Sequence, residues 1–147
     1  MMDDAAHRES GRAMVEFVFL GTLMLVPLVY LVLILAALQA GAFSATSAAR
    51  EAGRAFTTAS AESEALARGR AAAELSFEDF GVRGSSGVTF ACDGSPCLRP
   101  DGRVQVTARV TVPMPLVPEF LSGAVPAAVP IEVTHVASVD RFGGASP

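Results

Sequence analysis

Two patterns of apolar residues divide this chain. From Phe17 to Leu38 it reads FVFLGTLMLVPLVYLVLILAAL, 22 residues without a charge. A helix rises about 1.5 Å per residue, so the run is roughly 33 Å long, enough to cross a bilayer core of about 30 Å. Further along, Val104, Val106, Ala108, Val110 and Val112 alternate with Arg103, Gln105, Thr107, Arg109 and Thr111. That strict period of two predicts a half-buried strand.

The first run stays apolar on every face for 22 residues, which a buried core helix rarely does. It is also longer than the apolar core of a secretory signal, about 7–15 residues. The segment before it, MMDDAAHRESG, carries more acid than base, where a secretory signal is basic. Residues 12–42 are therefore predicted to form a transmembrane helix, and residues 1–11 a disordered leader. Small residues follow the run at Ala40-Gly41-Ala42, so a cleaved signal releasing a secreted binding module stays open as an alternative. Within the run, Pro27 leaves the carbonyl of Leu23 without its helical partner, which predicts a kink.

Residues 43–80 are rich in Ala, Glu and Arg, strong helix formers. They predict an amphipathic helix that continues out of the membrane to Phe80-Gly81. Its expected apolar stripe is Phe56, Ala59, Ser63, Leu66, Ala73 and Phe77, with Arg70 as a flaw and Gly69 as the weak point. A second stripe consists of small residues at four-residue spacing: Ala37, Gly41, Ala45, Ala49 and Gly53. Such a line lets another helix approach closely, so it is read as a helix-packing face.

Residues 81–147 change period and predict a small extracytoplasmic β domain. Strands are expected at Val88–Cys92, Arg103–Val112 and Val129–Val139, with a turn at Pro100-Asp101-Gly102. The chain leaves the sheet through Pro113–Leu121, and Phe142–Pro147 is expected to fray. His135 falls on the apolar face of the last strand and reads as a partly covered sheet residue rather than a ligand. The fold class is therefore α+β and membrane-anchored: a long N-terminal transmembrane helix, its amphipathic extension, then an antiparallel sheet of about three strands.

Composition narrows the function. The chain has 147 residues, a hydrophobic content of 51% and a mean hydropathy of +0.44. Those values suit a single-pass protein with membrane lipid as a partner. The net charge of −4 offers no basic surface for nucleic acid. Two cysteines, Cys92 and Cys97, bracket the short loop C-D-G-S-P-C. A disulfide closing about six residues contributes roughly 2 kcal/mol and places this half of the chain outside the cytoplasm. Two free thiols or half of a metal site are the other readings, but His7 and His135 are isolated and complete no local ligand set. Arginines before and after the apolar run balance, so charge does not orient it. The cysteines favour a cytoplasmic N-terminus. No P-loop, dinucleotide fingerprint or nucleophile elbow is present, so neither an enzyme nor a cofactor is expected.

One carboxylate, Glu16, stands at the mouth of the apolar run. A charge there is costly unless it is paired or interfacial. Pairing with Arg12, one turn away, is the plain reading, and it fits a membrane-anchored structural protein. A cut after Gly11 would instead make Arg12 the new terminus, and Glu16 could then neutralise the terminal amine of a neighbouring helix. The sequence G-R-A-M-V-E-F followed by the apolar run with Pro27 resembles the TadE-like family of pilus-assembly proteins, pilin-like components of tight-adherence (Flp-type) pilus systems. The resemblance covers about residues 10–40, through Gly11, Glu16 and Phe17. It implies a prepilin peptidase acting between Gly11 and Arg12, an assembly role for Glu16 and Phe17, other pilin-like subunits as partners, and a membrane platform with its secretion ATPase.

Overall fold

Alternating valines make a good strand because branched side chains pack on a pleated surface. The segment from Arg103 is the central strand of a three-stranded sheet. The computed structural model describes residues 3–82, 85–115 and 127–141, with side chains from Arg12 onward. The elements are α1 (Asp3–Thr57), α2 (Glu62–Asp79), β1 (Ser86–Cys92), β2 (Arg103–Pro113) and β3 (Ala128–Ser138). The fold class is α+β. The chain forms two compact units, Met1–Ala36 and Ala37–Pro147.

In the second unit the strands lie in sequence order, and both pairings are antiparallel. Val106 pairs with Phe90 on one side and His135 on the other. Val104, Val106, Ala108, Val110 and Val112 are all buried. Each buried valine contributes about 1.5–3 kcal/mol of hydrophobic stabilisation. On β3, Ile131, Val133, His135 and Ala137 are half-buried on the same face. The core is completed by Ala45, Ala48, Ala49, Ala52 and Phe56 of α1 and by Ala65, Ala73 and Phe77 of α2. Phe56 stacks on Phe90 with ring centroids 5.1 Å apart.

Three helical expectations are corrected. Residues 3–11 are helical rather than disordered; Ala5, Ala6, Arg8 and Glu9 are good helix formers and no proline interrupts them. The helix expected to run to Phe80 breaks at residues 58–61, not at Gly69. The Thr58 N–H still donates to the Arg54 carbonyl at 3.2 Å, beside the hydroxyls of Thr57 and Thr58 at 3.3 and 2.9 Å, and the Ala59 N–H turns to the Phe56 carbonyl at 3.2 Å, so the α-helical ladder stops there. α2 then restarts from an extended Ala61. Because the break resets the helical phase, the buried stripe of α2 is Ala65, Gly69, Ala73, Ser76 and Phe77, while Ser63 and Leu66 face solvent.

Gly69 is a packing residue. A Cβ there would lie 2.6 Å from Phe90 Cζ and 3.3 Å from the Ala52 carbonyl oxygen, so α2 approaches both β1 and α1 too closely for any side chain. α2 ends where Phe80-Gly81 predicts. The Gly81 N–H donates to the Glu78 carbonyl at 2.9 Å and the Val82 N–H to the Phe77 carbonyl at 3.1 Å. Gly81 has φ +62°, the left-handed conformation this C-terminal motif requires. The expected exit beyond Pro115 and the Phe142–Pro147 tail lie outside the described residues.

Candidate membrane-anchoring and assembly site

Gly11, Arg12, Glu16 and Phe17 all lie on α1 in the first unit. A continuous stretch of leucine, valine and phenylalanine holds a helix through propensity and internal hydrogen bonds, and Pro27 does not end it. Every residue from Arg12 to Val29 is exposed. Phe17 is 78% exposed and Met24 72%. From Arg12 the helix is long and apolar enough to cross a membrane, by length and composition. Glu16 is the only acid between Arg12 and Ala49. Among the described residues no ion pair joins it to Arg12; the ion pairs lie in the second unit, as in Arg109–Glu132 at 2.7 Å and Arg99–Asp93 at 3.0 Å.

The small-residue stripe lies in the second unit, where its neighbours are strands. A Cβ at Gly41 would collide with Val112 Cγ2 and come within 3.1 Å of Ile131 Cδ1. At Gly53 it would lie 3.0 Å from Ala137 Cβ and 3.5 Å from Val106 Cγ2. Ala45 and Ala49 are fully buried, and Ala37 packs against the edge of the same core. The stripe therefore brings α1 onto the chain's own sheet. In the same packed face Ser44 is buried, with its hydroxyl unpartnered.

Cys92 and Cys97 form a disulfide, with Cα atoms 5.4 Å apart. It sits at the end of β1 and closes the loop that leads to β2. The Cys97 N–H donates to the Glu62 carboxylate in the first turn of α2, tying the loop to the helix. Asp93 fastens the other side: its carboxylate accepts the Arg103 N–H at 3.0 Å and pairs with Arg99.

The sequence pattern places Phe80 at the end of the helix and gives neither Phe43 nor Phe80 a surface role. Phe43 is 64% exposed and Phe80 44%, and they line the same depression. The signal was present in part: Phe43 is the single large side chain between Gln39 and Arg50. Among the described residues no cluster of three or more His, Cys, Asp or Glu side chains is placed to hold a metal ion. No family model matches the chain, and neither a curated protein nor a solved structure matches it.

Proposed function

We propose that this chain is a pilin-like, single-pass membrane protein that assists assembly or secretion of a tight-adherence (Flp-type) pilus. The observation that carries the reading is the apolar segment of α1, exposed at every residue from Arg12 to Val29, with one carboxylate, Glu16, at its mouth. Exposed leucine and valine around an entire helix are stable in lipid and not in water. A carboxylate at that edge gains most by meeting a positive charge on another chain as both leave water. The disulfide supports an extracytoplasmic C-terminal domain. In this reading a prepilin peptidase cuts between Gly11 and Arg12, and Glu16 sets register against neighbouring pilin-like subunits delivered by the membrane platform and its ATPase.

The test has two parts. The N-terminus of the protein recovered from its host is expected at Arg12. An intact leader identifies a permanent anchor, and a start near Phe43 eliminates the spanning helix. Glu16→Ala is expected to abolish pilus assembly while membrane insertion persists. Assembly at normal levels in that variant would eliminate the charge-pairing role.

A further inference from the structure

The second unit carries an apolar surface that its own core does not explain. Phe43 on α1 and Phe80 at the end of α2 line one depression. Beside it lies a cleft of about 170 Å³ whose walls include Ala37, Gly41, Phe80, Val82, Val112 and Pro113. The cleft is overwhelmingly apolar and runs from α1 across the end of α2 to the end of β2. We propose that this face rests on the bilayer surface, with Phe43 and Phe80 inserted into the headgroup layer. The proposal builds on the membrane-anchor reading above.

Continuity selects the lipid surface as occupant. The cleft begins at Ala37, inside the apolar run that ends at Leu38. Phe43 follows Leu38 by five residues, about 7.5 Å of helix rise. A headgroup layer is about 5–7.5 Å thick on each side of the hydrocarbon core. With Leu38 at the edge of the core, Phe43 falls in that layer. No charge occurs from Ala37 to Ala49, so the helix supplies nothing that resists the interface. Phenylalanines on an otherwise modestly apolar surface are suited to this depth. Among the described residues the charges that border the face are Arg50 and Glu51 in the depression and Glu78 and Asp79 before Phe80, and in sequence Arg83 follows Val82. Their sum is acidic, so the docking is hydrophobic and requires no anionic lipid.

The chain contains no tryptophan, so single substitutions act as fluorescent reporters. The full chain is reconstituted in phosphatidylcholine nanodiscs, with and without bromine on the acyl chains. Four variants are compared: Phe43→Trp, Phe80→Trp, Leu25→Trp in the apolar run, and Val136→Trp on the outer face of the sheet. Phe43→Trp and Phe80→Trp are expected to emit at shorter wavelength and to lose much of their emission to brominated lipid. Val136→Trp is expected to emit as in water and stay unquenched. Two reporters on separate helices preserve the readout if one substitution misfolds.

Quenching of Leu25→Trp without quenching of either phenylalanine position overturns the docking and leaves the anchor intact. Absence of quenching at Leu25→Trp overturns the anchor, and the docking with it. A blue shift at Phe80→Trp that is insensitive to bromine and grows with chains per nanodisc overturns the proposal in favour of a second copy covering the face.

Discussion

The two halves of α1 share a helix, yet they treat apolar residues in opposite ways. Between Met14 and Val29 the side chains are mostly large and all are exposed. Between Gly41 and Phe56 they are mostly small, and one face is buried at close to zero exposure. Both hydrophobicity and side-chain volume separate these halves: the second carries Arg50, Glu51 and Arg54, and its buried face is built mainly of alanine and glycine. A sheet packed this closely on a helix leaves room for alanine and glycine, and dense interiors tolerate neither voids nor excess. Large side chains exposed on all faces suit a solvent that is itself apolar.

The sharpest way to break the contrast is truncation of one large apolar residue in each half. Phe56 is 2% exposed and stacks on Phe90, so Phe56→Ala is expected to cost about 3–5 kcal/mol. A small domain loses most of its stability at that cost. Leu25→Ala is expected to leave unfolding of the second unit unchanged. Denaturant unfolding of the detergent-solubilised full chain, followed by a probe in the second unit, measures both. Equal midpoints for the two variants would remove the distinction.

A smaller effect comes from the two glycines of the same helix. A Cβ at Gly41 collides with Val112, whereas one at Gly21 meets nothing within 4 Å. Gly41→Ala is therefore expected to destabilise the second unit by about 1–3 kcal/mol through overpacking. Gly21→Ala is expected to change it by less than about 0.5 kcal/mol. A neutral Gly41→Ala would mean that the helix can retreat from β2 without penalty. The same unfolding midpoints decide the matter.

That contrast also explains which parts of the fold were legible in the sequence. β2 was readable because Val104 to Val112 alternate without error, and a central strand buried on one face must alternate. The end of α2 was readable because Gly81 supplies the left-handed residue at which such helices stop. The stripe on α2 differs from the expected one because that pattern runs unbroken from Phe56 through the break at residues 58–61 and so places Leu66, a large residue, on the buried face. The interface selects for closeness instead, and Ala65 and Gly69 occupy it. The role of Gly69 inverts for the same reason, from weak point to contact. The break at residues 58–61 begins where the Ala59 N–H turns to the Phe56 carbonyl, a local change of hydrogen bonding that hydrophobic periodicity does not register. The small-residue stripe was visible as a packing face, but spacing alone carries no information on whether a helix or a sheet lies opposite.

The smallest expected effect concerns that break. Ser60 precedes α2, and both its hydroxyl and its N–H donate to the Glu64 carboxylate, the N–H at 3.4 Å. Those two bonds hold the Glu64 carboxyl below its ordinary value of 4.5, with further help from the Arg68 guanidinium. The folded value lies below the unfolded one, so the contribution to stability is fully present above 4.5 and is lost as pH falls through the folded value. The carboxylate is open to solvent, so the effect is slight. Ser60→Ala is expected to bring the NMR-titrated Glu64 value back toward 4.5 and to flatten the acid limb of stability against pH, while leaving the midpoint near neutrality little changed. An unaltered Glu64 titration in that variant would show that Arg68, rather than the serine at the break, holds the carboxylate. The restart of α2 would then rest on its packing against Phe90 and Ala52, and close approach would govern this helix as it governs the second half of α1.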